Sequence, residues 1–130
     1  MSKTPSMRTP LGRVRSLGSA KSGTTDFWRQ RVSAVATILL ILPVIVIVMK
    51  IMGSTHANAA QTLGSPLVAI LMSLFVITSC IHMKIGMQVI IEDYVQDEKL
   101  KLLSIIVNNF FSIAVGLVSI YALIKLSSGV

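Results

Sequence analysis

His82 is the only histidine of this chain that lies within a hydrophobic segment, in the stretch IHMKIGMQVIIEDY over residues 81–94. An ionisable ring in the hydrocarbon of a membrane is costly without a partner, which makes it a candidate functional residue. Neutral imidazole is a common axial ligand of haem iron. The alternative is a histidine that donates a hydrogen bond to a carbonyl or hydroxyl of a neighbouring helix. The residue type alone leaves both interpretations open.

Gly86 and Asp93 share the face of His82 if this stretch is helical. Asp93 then lies about 20° from the direction of His82 and roughly 16 Å further along the axis. Gly86, about one turn from His82, leaves room for a planar macrocycle against the backbone. The pattern predicts a cofactor at depth and a second, polar site at the membrane surface.

Asp93 and Tyr94 are the candidates for that second site. A phenol at headgroup depth can donate a hydrogen bond to a quinone carbonyl, and a neighbouring carboxylate can orient the donor or relay protons. The alternative is an interfacial tyrosine beside a solvated acidic turn.

Arg31 is expected on the same side of the membrane as Asp93. A guanidinium there can form a forked contact with a haem propionate. It can equally be one more positive charge beside a span, and Arg29 could take its place. Lys84 points about 200° away from His82 on a helix, and the sequence leaves its role open.

The composition indicates a membrane protein. Of 130 residues, 53% are hydrophobic and 13% are charged, whereas soluble domains are typically about 25% charged. The net charge of +7 comes mostly from an N-terminal cluster, since seven of the twelve Lys and Arg residues precede the first apolar run. Such a cluster beside a span marks the cytoplasmic side rather than a nucleic-acid site. Cys80, the only cysteine, excludes an internal disulfide.

The elements that must position these residues are three transmembrane helices. We predict an all-α membrane protein with a basic, flexible cytoplasmic arm at residues 1–26 and a membrane anchor domain at residues 27–126. Apolar runs long enough to cross a bilayer predict spans at about residues 31–52, 65–91 and 101–125. Asp26 is a candidate helix cap, and Pro43 could kink the first span. Gly53–Gly64 is predicted to be an outer loop, and Asn108 and Asn109 to hydrogen-bond across helices.

Charge distribution predicts the orientation: the N-terminus is cytoplasmic and, after three spans, the C-terminus is outside, in the periplasm. The arm also has the composition of a mitochondrial transit peptide. A bacterial inner (cytoplasmic) membrane is the preferred location, and the mitochondrial inner membrane is the alternative.

The residues that run from His82 through Gly86 and Met87 to Asp93 and Tyr94 resemble the H-x3-G-M-x5-D-Y pattern of a known family. This family is the D-type hydrophobic membrane anchor of succinate dehydrogenase (respiratory complex II). Asp26-Phe27 followed by Arg31 is similar to the start of its first helix. The basic arm TPLGRVRSLGSAKSGT resembles those of alphaproteobacterial members. The resemblance covers most of residues 26–126.

The resemblance implies a complex with a flavoprotein subunit, an iron–sulfur subunit and a C-type cytochrome b anchor subunit, held in membrane lipid. It implies that His82 is an axial ligand of haem b, whose other ligand comes from the C-type anchor. Tyr94 would bind ubiquinone with Asp93 beside it, and Arg31 would lie near the haem propionates. The chain would serve the electron transport chain and the tricarboxylic acid cycle without succinate chemistry of its own.

Two other functions stay open at this point. One is an anchor of a fumarate-reducing complex. The other is a small proton-coupled transporter or channel component, in which His82, Lys84 and Asp93 would form a proton path.

Overall fold

The computed structural model describes residues 22–129, so the predicted arm lies outside the described residues except for its last part. Helix α1 spans Ser22–Ile51 and therefore begins before the predicted end of the arm at residue 26. Asp26 lies inside α1 and does not cap it. Its carboxylate instead faces Arg29 at 4.0 Å, an exposed pair of the weak kind.

Three long helices confirm the prediction of an all-α protein with three spans. They are α1, α3 (Pro66–Tyr94) and α4 (Glu98–Ser128), of 30, 29 and 31 residues. At about 1.5 Å per residue each is about 45 Å long, more than the roughly 30 Å of hydrocarbon in a bilayer. All three are long and apolar enough to cross a membrane. The ends of α3 and α4 extend a few residues beyond the predicted spans.

The segment predicted as an outer loop contains a short helix, α2, over His56–Gly64. The chain turns at Gly53, which has φ 76, and Thr55 then caps α2 by accepting a hydrogen bond from the amide of Asn58. Gly64 ends the helix against α4, where an added Cβ would lie 2.5 Å from the carbonyl oxygen of Leu126. The predicted connection between the first two spans is therefore partly helical, because local capping and this docking contact stabilise a helix that the sequence did not indicate.

Helix α3 lies in the middle of the described structure. It packs against α1 on one side and against α4 on the other, and α1 and α4 do not pack against each other within residues 22–129. Few side chains are buried, and no large side chain among the described residues is fully buried. The broad apolar faces of the three long helices are therefore left for lipid or for other subunits.

Asn108 forms a side-chain hydrogen bond between α4 and α3, whereas the hydrogen bond of Ser112 lies within α4. The amide of Asn108 donates to the carbonyl of Lys84 across the α3/α4 contact, at 2.9 Å, and the hydroxyl of Ser112 donates to the carbonyl of Asn108. Asn109 is different: its buried Oδ1 has no hydrogen-bond partner. The prediction of a bond across helices is thus confirmed for Asn108.

Candidate functional site

A cavity of about 530 Å³ lies between α1 and α3, and we call it the α1/α3 cavity. Its size falls within the range of small-molecule and cofactor sites, about 300–1,000 Å³. Helix α1 contributes Gly23, Asp26, Phe27, Gln30, Arg31 and Ala34, and α3 contributes His82, Ile85, Gln88, Val89 and Glu92. The cavity thus extends from His82 at depth to the polar ends of both helices.

His82 is held by α1. Its Nδ1 lies 3.2 Å from the hydroxyl oxygen of Ser33, and that hydroxyl also contacts the carbonyl of Gln30 at 3.1 Å. A carbonyl can only accept, and a serine has one O–H to donate. With the Ser33 proton directed to Gln30, the Ser33 oxygen accepts from Nδ1–H of His82. The other ring nitrogen, Nε2, then carries the free lone pair that a metal ligand needs.

Arg31 lines the same cavity as His82, whereas Arg29 does not. The Arg31 guanidinium lies over the ring of Phe27 with its central carbon 5.2 Å from the centroid, a cation–π contact. Arg29 lines a different groove, on the side of α1 that carries Trp28 and Val32. Of the two arginines left open by the sequence, Arg31 is the one beside the α1/α3 cavity.

Gly86 does not line the cavity. The space beside it is taken by Gln30, whose Nε2 would lie 3.3 Å from an added Cβ. Whether a macrocycle lies against the backbone at Gly86 stays a prediction, and the neighbour there is the end of the Gln30 side chain. The Oε1 of Gln30 is buried without a hydrogen-bond partner, and Gln30 is itself a lining residue.

The acidic residue that α3 contributes to the cavity is Glu92, although Asp93 was expected on the face of His82, and α1 contributes a second acid, Asp26. Gln88 donates from Nε2 to Oε1 of Glu92 at 2.8 Å, and both residues line the cavity. Asp93 and Tyr94 are exposed at the end of α3, with Tyr94 81% exposed. The structure thus separates Asp93 and Tyr94 from the cavity that holds His82 and Arg31.

Lys84 lies on the other side of α3. It lines a groove between α3 and α4 together with Cys80, Ser112 and Gly116. His82 and Asp93 are not part of that groove. The three residues proposed for a proton path are therefore not brought together in one cavity.

Ser33, Gln30 and Glu92 are site residues that sequence reasoning missed. By residue type, Ser33 lies among small residues at the start of the first span, Ala34, Ala36 and Thr37, which favour close helix packing rather than a site. The signal that could have found it is its place one turn from Gln30 on the helix that must cover His82. Within residues 22–129 no group of three or more His, Cys, Asp or Glu side chains could hold a bare metal ion.

The donor set fits a haem that takes one axial ligand from this chain. It offers an imidazole with a free Nε2, a cation in the same cavity, and an apolar wall that includes Ile85 and Val89. His82 would hold such a group with its imidazole alone, so a cluster of ligands on this chain is not required.

Comparison with known proteins shows the family to which this chain belongs. Residues 5–116 match the model of the succinate dehydrogenase/fumarate reductase transmembrane subunit. The chain is 33% identical over 121 residues to a succinate dehydrogenase hydrophobic membrane anchor subunit of Paracoccus denitrificans, which covers 93% of each chain. It is 34% identical over 110 residues to the subunit of that name from Rickettsia bellii (strain RML369-C), covering 85% of this chain and 88% of the relative. No solved structure matches significantly.

Proposed function

Because the chain belongs to the succinate dehydrogenase/fumarate reductase transmembrane subunit family and is a membrane anchor of the succinate dehydrogenase kind, we propose that it holds half of a haem b site and part of a ubiquinone site. Its three spans and bacterial relatives make it a multi-pass protein of the bacterial inner membrane. As an anchor subunit it associates with the flavoprotein and iron–sulfur subunits of the complex. Succinate is oxidised on those subunits, and this chain supplies no residue to that reaction.

One observation supports the haem proposal most directly: His82 and Arg31, from different helices, line the same cavity. His82 would ligate the iron through Nε2, because its Nδ1 is engaged by Ser33. Arg31 would pair with a propionate, for which its guanidinium supplies a forked set of donors. When bound, the haem would supply a one-electron redox centre inside the membrane.

The site can be only half of a bis-histidine site. The sequence has two histidines, and the second, His56, is exposed at the start of the short helix α2. It lies outside the α1/α3 cavity. The other axial ligand would therefore come from the C-type cytochrome b anchor subunit, packed on the open side of α1 and α3.

The ubiquinone proposal concerns the end of α3. Tyr94 is the last residue of this helix, and its exposure leaves the phenol free to face another subunit. Its hydroxyl would donate to a quinone carbonyl, and the carboxylate of Asp93 would orient the donor or relay a proton. The helix is continuous from Pro66 to Tyr94, so Tyr94 lies about 18 Å along the axis from His82. With the basic arm on the cytoplasmic side, this end of α3 also faces the cytoplasm.

The anchor of a fumarate-reducing complex is the second candidate, because the matched family includes the transmembrane subunits of fumarate reductase. It would use the same residues with electron flow in the opposite direction. The transporter alternative has less support, since His82, Lys84 and Asp93 do not share a cavity.

The test of the haem proposal is the reduced-minus-oxidised absorption spectrum of the purified complex. The wild-type complex should show a b-type spectrum that His82→Ala weakens or abolishes, because one axial ligand is lost. His56→Ala is the matched control and should leave the spectrum unchanged. An unchanged spectrum in the assembled His82 variant would remove the ligand assignment.

A further inference from the structure

We propose that Ser33 is a positioning residue for His82: its hydroxyl oxygen accepts the Nδ1 proton, holds the ring in one tautomer and directs Nε2 toward the haem iron. This inference rests on the proposed haem ligation by His82. It adds a residue of α1 whose side chain contacts the ligating His82 and not the haem itself.

Ser33 is the more buried partner of this contact. It is 6% exposed and lies on the face of α1 that packs against α3, whereas His82 is half-buried. The contact joins residues 49 positions apart in the chain, so it is a tertiary contact rather than a local turn.

The direction of the hydrogen bonds follows from the backbone of α1. Serine in a helix commonly donates its hydroxyl proton to a carbonyl of the preceding turn. Here the acceptor is the carbonyl of Gln30, three residues earlier, at 3.1 Å. With its proton engaged in its own helix, the Ser33 oxygen presents a lone pair to α3. His82 can meet that lone pair only with a protonated Nδ1.

The consequence for a metal ligand is both steric and electronic. Fixing Nδ1–H to an acceptor fixes the ring orientation and makes the imidazole a stronger electron donor at Nε2. A stronger donor favours the oxidised iron. Ser33 should therefore slow haem loss and lower the reduction potential of the haem.

The experiment compares substitutions in the assembled four-subunit complex. Ser33→Ala deletes the acceptor, Ser33→Thr retains it, and Thr37→Val is the matched control. Thr37 lies on α1 one turn after Ser33, and its buried hydroxyl has no hydrogen-bond partner. The readouts are the rate of haem transfer to an excess of a haem-scavenging protein, the reduction potential, and the electron paramagnetic resonance signal of the oxidised haem.

Ser33→Ala should accelerate haem loss by about 10–100-fold, the usual effect of removing the partner of a ligating histidine. It should also raise the reduction potential and shift the resonance signal. Ser33→Thr and Thr37→Val should both behave as wild type. A merely structural role for Ser33 would change complex stability and leave the potential in place.

If Ser33→Ala loses haem at the wild-type rate and has the wild-type reduction potential, the proposal is overturned, while haem ligation by His82 still stands. If His82→Ala keeps its spectrum, haem ligation itself fails, and the role of Ser33 fails with it. Should Ser33→Ala prevent assembly, Ser33→Cys keeps the side-chain size and replaces the hydroxyl by a weak acceptor. That variant must then show a higher potential than wild type, and a wild-type value would also overturn the proposal.

Discussion

Ser33 and His82 meet at 3.2 Å, hydroxyl oxygen to Nδ1, at the point where α1 packs against α3. The contact satisfies one nitrogen of a ring that would otherwise be costly at membrane depth. Arg31, two residues before Ser33 on α1, lines the cavity of His82. The same short part of α1 therefore contacts the His82 ring and contributes a cation to its cavity.

Arg31→Gln should weaken haem retention, and Arg29→Gln should not. Both arginines are exposed at the start of the first span, but only Arg31 lines the α1/α3 cavity. Loss of a partly exposed ion pair costs about 1 kcal/mol, or roughly fivefold in affinity. The reduction potential should fall as well, because a nearby cation favours the reduced iron. Haem content and potential of both variants check this, and equal values would remove Arg31 from the site.

Asn108→Ala should destabilise the contact between α3 and α4. The variant loses the hydrogen bond to the Lys84 carbonyl, and hydrogen bonds between membrane helices are worth about 0.6 kcal/mol on average and at most about 1.7. Asn109→Ala is the matched control, since its buried Oδ1 has no partner to lose. The midpoint of thermal unfolding of the detergent-solubilised complex should therefore be lower for Asn108→Ala. Equal midpoints would show that the hydrogen bond contributes nothing measurable.

Gly64→Ala should destabilise the protein at the end opposite His82. An added Cβ would lie 2.5 Å from the Leu126 carbonyl oxygen, so α2 or α4 must move. Overpacking of this kind costs about 1–3 kcal/mol. Gly116→Ala is the control, because its Cβ would meet Cys80 Sγ at 3.6 Å, an ordinary contact. Thermal unfolding should distinguish the two variants, and both should keep the haem spectrum. Equal unfolding midpoints for Gly64→Ala and Gly116→Ala would mean that α2 moves away from Leu126 at no measurable cost.

The three spans could be predicted because a long apolar run that crosses a membrane has few alternatives to a helix. His82 and Arg31 could be named from residue type and position. Their shared cavity could not, since it depends on the register of α1 against α3. Gly86 is an example: its face of the helix follows from the sequence, but the side chain that approaches it, Gln30, comes from another helix. Helix α2 was missed because its docking on α4 involves a backbone contact far along the chain.

Tyr94→Phe should reduce succinate:quinone turnover while leaving haem and succinate oxidation in place. Phenylalanine keeps the aromatic ring at the membrane surface but lacks the hydroxyl proposed to donate to the quinone. A hydrogen bond of this kind is worth about 0.5–1.5 kcal/mol net, so turnover should fall by roughly two- to tenfold. The haem should persist because His82 lies about 18 Å away along a continuous helix.

The measurement for Tyr94→Phe is the ratio of two activities in one preparation: electron delivery from succinate to ubiquinone, and to a soluble acceptor that bypasses the pocket. Only the first should fall. Tyr121→Phe is the matched control, because it removes the same hydroxyl from an exposed tyrosine on α4. Equal losses in both assays would indicate failed assembly. An unchanged ratio in Tyr94→Phe would leave this tyrosine as an interfacial residue, since aromatic rings at that depth need no ligand to be stable there.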